Sequence, residues 1–240
     1  MAAGRGSRMK HLAKNKPKHL INVLGRPFIY YLLQRIYRAG YERIILVVGY
    51  NGDLFEEFAK NHRQKFPLEL VNQLDRVPQD KYGTAVPIEA VADKIGTDSF
   101  ACAMGDNLYG INDLRQASQC QKTSVFGFRH SSPERYGVLE GDENNYLNQI
   151  HEKKTKPITD VINSGLYFFC PEIFHAVAQI GVSPRGEYEI TDAISALAAR
   201  KRVKVKLCQD PWLDFGRLPD IPRASRFLQS EQLAATSPQS

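Results

Sequence analysis

Residues 41–72 read YERIILVVGYNGDLFEEFAKNHRQKFPLELVN. The first part, 41–49, is a continuous run dominated by β-branched side chains, the pattern of a parallel strand buried on both faces. Residues 53–63 (DLFEEFAKNHR) place apolar side chains at helical spacing, and 68–72 (LELVN) return to a short strand. Strand, helix and strand in so short a span is the unit from which parallel sheets are built. Toward the amino terminus, Pro27 opens a helix over 27–39 (PFIYYLLQRIYRA), where its fixed φ suits the first turn, and Gly40 ends it. A short apolar piece, 20–24, is closed by Gly25. Toward the carboxyl terminus, a polar loop over 73–82 leads to a helix over 84–95 with Pro87 in its first turn, then to a strand over 99–104. This alternation predicts an α/β layered fold with a mostly parallel central sheet. In such sheets ligands bind beyond the carboxyl ends of the strands.

From Thr123 the pattern changes. SVFGFRH, YGVLE, YLNQIHE and INSGLYFF read as strands separated by turn residues, an antiparallel extension with little helix between its members. Helices are expected from about 171 and from about 188 (YEITDAISALAARK), followed by a strand over 203–208 (VKVKLC) and a last helix over 218–228. Residues 229–240 are small and polar and read as a frayed tail. No internal repeat is present.

The first eighteen residues, MAAGRGSRMKHLAKNKPK, have the composition of a loop that holds a polyphosphate. Gly4 and Gly6 let the backbone turn and bring amide N–H groups close to a ligand. Ser7, Arg8 and four lysines (Lys10, Lys14, Lys16, Lys18) follow, and both backbone nests and cations favour negative charge. A dinucleotide fingerprint fails because Met9 stands where its third glycine belongs, and no P-loop run exists. A loop of this kind normally follows a buried apolar strand, so a few apolar residues are expected ahead of Met1.

The chain has 240 residues, 42% of them apolar, enough for one sizeable core. A net charge of +6 suits anionic ligands, yet no basic stripe interleaved with aromatics recurs, which argues against nucleic acid. Much of the excess lies at 5–18 and 200–206, the second a solvated surface. Cys102, Cys120, Cys170 and Cys208 form no C-x-x-C pair and read as reduced thiols rather than disulfides or zinc ligands. No stretch approaches the ~18 apolar residues of a membrane span, so the expectation is a cytoplasmic protein with no membrane partner. The sequence leaves a homo-oligomer open.

Two acidic residues stand where chemistry is expected. Asp106 follows a buried strand in AMGDN, and Asp214 lies in PWLDFG, again after a strand and before a glycine. Mg²⁺ is typically bound through one or two carboxylates plus phosphate oxygens and water, so the pair suits that cation if the fold joins their strand ends. The bland reading of each is a cap or turn aspartate.

With these segments in place, the chain resembles the sugar-1-phosphate nucleotidyltransferases, especially the glucose-1-phosphate uridylyl- and thymidylyltransferases. The resemblance rests on AAGRGSRM with Pro17-Lys18, Tyr82-Gly83-Thr84-Ala85, Gly105-Asp106, Tyr136-Gly137-Val138-Leu139-Glu140, Glu152-Lys153, Asn163-Ser164-Gly165-Leu166-Tyr167 and Trp212-Leu213-Asp214-Phe215-Gly216. They occur in the family's order over most of the chain. The resemblance implies a Rossmann-like three-layer fold over 1–228, with a nucleotide-binding half (1–110) and a sugar-phosphate half (111–228). It implies that Arg8, Lys18 and Lys153 are catalytic cations, and that Asp106 and Asp214 hold Mg²⁺. Ala2, Ala3, Gly4, Gly6, Ser7, Gly83 and Thr84 would bind nucleotide, with Gln73 or Gln79 reading the base edge. Gly137, Glu152, Asn163 and Trp212 would meet the sugar phosphate. The family usually writes Glu-Lys-Pro where this chain has Glu152-Lys153-Lys154.

The implied reaction transfers a nucleotidyl group from UTP or dTTP to glucose 1-phosphate and releases pyrophosphate. Rivals keep the chemistry with GTP and mannose 1-phosphate, or CTP and phosphocholine; a different class is a catalytically silent domain that senses nucleotide sugars. No Ser–His–Asp set is evident, and none is required, because a phosphate monoester with a second pKa of about 6 is already an anionic nucleophile.

Overall fold

A computed structural model of the chain describes residues 1–4, 16–152, 156–216 and 219–236, with side chains to 230. The expected strand–helix–strand unit is present as β3 (Ile44–Val48), α2 (Gly52–His62) and β4 (Leu68–Asn72). β3 and β4 pair in parallel from Ile44 opposite Leu68 to Val48 opposite Asn72. Ahead of them, residues 20–24 lead into a tight hairpin of β1 (Asn22–Val23) and β2 (Arg26–Pro27). Its two turn residues, Leu24 and Gly25, both take positive φ, as a two-residue hairpin turn requires. Helix α1 (Phe28–Arg38) begins directly after Pro27 and ends at Gly40, whose φ of 97° and N–H bond to Tyr37 O (3.0 Å) close the last turn.

The helix expected over 84–95 is two short helices, α3 (Val86–Glu89) and α4 (Ala92–Ile95). The break falls at Val91, with φ −113° and ψ 5°. In an unbroken helix Val91 would point about 140° away from Val86. The break lets Val86, Ala90 and Val91 all join Val47 and Val71 in one core. Packing has overridden a run of good helix formers.

Next come β5 (Phe100–Ala103), β6 (Asn107–Leu108) and α5 (Ile111–Ser118), a helix that the sequence reading passed over. The second half supplies β7 (Ser124–Arg129), β8 (Val138–Gly141), β9 (Leu147–His151), β10 (Val161–Phe169), α6 (Glu172–Gln179), α7 (Ile190–Ala198), β11 (Lys204–Leu207), β12 (Leu213–Asp214) and α8 (Asp220–Thr236). The last helix extends to Thr236, beyond the expected boundary at 228.

β10 is the hub. It pairs antiparallel with β7, with β8 at Ile162 opposite Val138, and with β5 from Leu166 to Phe169. β11 adds in parallel to β7, and β9 antiparallel to β8. The sheet around β10 is therefore mixed, antiparallel except where β11 joins β7, and β3 and β4 form a separate parallel pair. Helices cover both faces. Alternate β3 residues show this: Ile44, Leu46 and Val48 join a core with α1 and Leu114 of α5, while Val47 turns to the core of α3. The four cysteines are free thiols. Among the described residues no helix is long and apolar enough to cross a membrane.

Candidate functional site: a paired-carboxylate cleft

Asp106 and Asp214, a hundred residues apart in sequence, meet because β6 and β12 form a two-stranded ladder. Asp214 lies opposite Asn107, Leu213 opposite Leu108, and Phe215 N donates to Asp106 O (2.8 Å). The ladder is held by buried apolar residues: Leu108 and Phe215 are fully enclosed, and Phe215 stacks on Phe28 at 4.2 Å. Trp212 packs edge-on to Tyr136 (5.7 Å) and donates from Nε1 to Ser164 O (3.0 Å), so it holds the segment carrying Asp214.

Lys18 reaches the same place. The extended stretch at Pro17 leads into a single 3₁₀ turn, Lys18–Leu20, and the Lys18 ammonium forms an ion pair and hydrogen bond with Asp106 Oδ2. Burial works against ionisation of Asp106, but the charge and hydrogen bond of Lys18 outweigh it and hold the carboxyl below its ordinary range. At Asp214 the charges of Lys18 and Arg223 do not outweigh burial. Burial first, and the Asp106 charge second, push its pKa up. Burial likewise pushes the neighbouring His19 imidazole down to about 3, so it is neutral.

These two carboxylates fit a divalent cation. One is anionic and the other is held back from ionising by burial and its neighbour's charge, a strain that a bound cation would relieve. Among the described residues no group of three or more His, Cys, Asp or Glu side chains could hold a metal. That matches a cation sharing its coordination with phosphate and water rather than one in an all-protein cage.

The residues expected at the sugar phosphate also converge. Asn163 N donates to Gly137 O (2.8 Å). A Cβ on Gly137 would stand 3.5 Å from Glu152 Oε1, so the three residues share one wall. Asn163 Nδ2 donates to Tyr167 Oη (2.9 Å), and Tyr167 in turn feels the charges of both Glu152 and Asp106. Asp214 acts in the same way on Tyr136. The strand carrying Asn163 also lies against the carboxylate ladder, since Ser164 O accepts from Asn107 Nδ2 (2.9 Å) and Trp212 Nε1 (3.0 Å).

On the nucleotide side the picture is more varied. Ala2 and Ala3 are buried against β3, and Gly4 is exposed. Gln73 is closed off beside Gly49 with Oε1 unpartnered, whereas Gln79 lies on an exposed stretch. Thr84 uses its hydroxyl structurally: Oγ1 accepts from Ile190 N (2.9 Å) at the start of α7 and donates to Glu189 Oε2 (3.3 Å). Gly6, Ser7, Arg8 and Lys153 lie outside the described residues.

Sequence reasoning missed the segment that joins the two halves. Tyr188 N donates to Tyr82 O (2.8 Å), and Ala85 N donates to Tyr188 O (2.9 Å), clamping the Gly83 turn. Arg185 pairs with Glu189 at 2.8 Å and lies 3.9 Å from Glu152. The signal was the i, i+4 Arg185/Glu189 spacing ahead of α7, which reads equally as an ordinary surface pair. Gly83 itself has φ 139°, and a Cβ there would lie 2.2 Å from Tyr188 O. Gly83→Ala is therefore expected to destabilise the fold by about 3 kcal/mol or more, read as a lower urea midpoint. An unchanged midpoint would show that the clamp is loose.

The nucleotidyl transferase family model matches residues 1–231. Among curated relatives, the UTP–glucose-1-phosphate uridylyltransferase AglF of Haloferax volcanii is 29% identical over 243 residues, covering 98% of each chain. A glucose-1-phosphate thymidylyltransferase of Xanthomonas campestris is 30% identical over 241 residues, covering 97% of this chain and 80% of that one. A solved structure of UDP-glucose pyrophosphorylase complexed with UDP-glucose superimposes with a TM-score of 0.82 at 24% identity, over 96% of this chain and 97% of that chain, and so shares the fold. With Asp106, Asp214 and Lys18 brought together and the family model spanning nearly the whole chain, this protein belongs to the nucleotidyl transferase family.

Proposed function

We propose that the protein transfers a nucleotidyl group from UTP or dTTP to glucose 1-phosphate, forming the nucleoside diphosphate sugar and pyrophosphate. The observation that carries this reading is the meeting of Asp106, Asp214 and Lys18, with the strand of Asn163 held against the same ladder through Ser164. The names of the relatives support the choice of nucleotide and sugar.

A phosphate oxygen of the sugar phosphate attacks the α-phosphorus of the triphosphate. The bond from that phosphorus to the α,β-bridging oxygen breaks in line, and pyrophosphate leaves. No general base is needed for a nucleophile that is already anionic. The obstacle is repulsion between two anions, so catalysis consists of positioning and charge neutralisation. Asp106 and Asp214 would hold Mg²⁺, which when bound supplies positive charge beside the reacting phosphates. Lys18 brings a cation to the same point, and Arg8 and Lys153 would add two more. Glu152 and Asn163 would orient the hexose hydroxyls, while the Gly83 turn would lie along the base.

The test is pyrophosphate release with a panel of triphosphates crossed with a panel of sugar phosphates, with and without Mg²⁺. The expected result is release that needs Mg²⁺ and is fastest with UTP or dTTP and glucose 1-phosphate. A preference for GTP with mannose 1-phosphate, or CTP with phosphocholine, would reassign the substrates. Tight nucleotide-sugar binding without turnover for any pair would replace the enzyme with a sensor.

A further inference from the structure

Asp214 sits on a strand of only two residues, β12, with β6 along one edge. In an antiparallel ladder, residue pairs alternate between those that exchange backbone hydrogen bonds and those that do not. Phe215 N donates to Asp106 O (2.8 Å), so the next pair, Asp214 opposite Asn107, is of the second kind. The C=O of Asp214 therefore turns away from β6, toward the other edge of β12. A two-residue ladder on one side is a weak constraint on a side chain that has to meet a cation from a fixed direction.

The first turn of α8 occupies that other edge. Arg223 Nη2 donates to Asp214 O and lies 3.4 Å from Asp220 Oδ1, one turn earlier on the same helix. The second oxygen of Asp220, Oδ2, accepts from Gly216 N (3.0 Å). Asp220 and Arg223 thus hold the main chain on both sides of Phe215, the carbonyl before it and the amide after it. The helix itself is firmly based, because Ala224 and Leu228 share one buried core with Leu213, Phe215 and Phe28. A Cβ on Gly216 would stand 3.4 Å from Asp214 Oδ1, so the main chain they hold is the one the carboxylate lies against. The Arg223 charge is felt at Asp214, and also at Tyr136 and His130.

On the reading that Asp106 and Asp214 hold a cation, we propose that Asp220 and Arg223 are positioning residues for Asp214, a latch from α8 that keeps its carboxylate aimed at the bound ion. The effect is geometric. The Arg223 charge on its own would repel Mg²⁺ at Asp214, and its pairing with Asp220 offsets that repulsion. What the pair supplies is a fixed main chain, and a guanidinium suits the task because one planar group serves a carbonyl and a carboxylate together. Losing a residue that orients a metal-binding group costs about 10- to 100-fold in metal affinity or activity.

Arg223→Ala and Arg223→Lys test the latch through two independent readouts. In the substrate-free protein, hydrogen exchange at the Phe215 and Gly216 amides is expected to be faster in Arg223→Ala than in the parent. Tm should stay close to the parent's, since the Arg223 side chain is 44% exposed and its ion pair adds little stability. With saturating triphosphate and glucose 1-phosphate, the Mg²⁺ concentration for half-maximal pyrophosphate release should rise by about 10-fold, and kcat should fall by a similar factor. Arg223→Lys keeps a charged donor and should recover most of both losses. A neighbouring charge with no positioning role predicts the opposite direction, because removing a cation from beside the site would let Mg²⁺ bind more readily. A lowered or unchanged Mg²⁺ requirement, or unchanged exchange at both amides, would therefore overturn the proposal. A parent protein that releases no pyrophosphate would count against the proposed reaction instead, and amide exchange would still decide the latch.

Discussion

Asp106→Ala and Asp214→Ala are each expected to lower pyrophosphate-forming turnover by about 10²- to 10³-fold or more, the scale on which preorganised charge at a transition state is worth its place. Both aspartates sit on the β6–β12 ladder, and the ladder is held by backbone hydrogen bonds and by Leu108 and Phe215 rather than by either carboxylate. Asp106 also pairs with Lys18 in a part-buried ion pair, so Asp106→Ala gives up that pair as well, while the ladder and its apolar support remain. Far-UV circular dichroism and Tm should therefore stay near those of the parent while turnover collapses. Retention of near-parental turnover in either variant would remove that residue from the metal site. Loss of cooperative unfolding would instead make it structural.

Lys18→Ala should lower kcat by about 10²-fold. The position of Lys18 follows from Pro17, which enters the turn at φ −57° and ψ 141° and commits the next residue to the cleft. There the ammonium holds Asp106 ionised, which keeps a carboxylate ready for a cation. With triphosphate and Mg²⁺ bound as proposed, the same lysine would be able to turn from carboxylate to phosphate. Two losses follow from one substitution, so the variant should need more Mg²⁺ for half-maximal rate as well as turning over slowly. A Lys18→Ala protein with parental kcat and parental Mg²⁺ dependence would assign Lys18 to the fold alone.

Much of this was legible because the relevant signals are local. The run over 44–48 lacks polar alternation, so it declared a strand buried on both faces. Pro27 and Gly40 bracketed α1 through their own backbone preferences. The helix over 84–95 misled for the opposite reason. Its residues favour helix locally, and only the need to bring Val91 under β3 and β4 breaks it. The Tyr188 clamp on Gly83 was invisible, since nothing local in either segment requires the other.

By itself the sequence determined most of the order of strands and helices and the placing of Asp106 and Asp214 beside strands, because each depends on residues a few positions apart. It could not decide whether Asp106 and Asp214 meet, or which of two glutamines is enclosed. Those depend on contacts spanning about a hundred residues, where the chain's own register, and not any local preference, brings one strand end against another. The carboxylate pair exists only because tertiary packing brings β6 and β12 together.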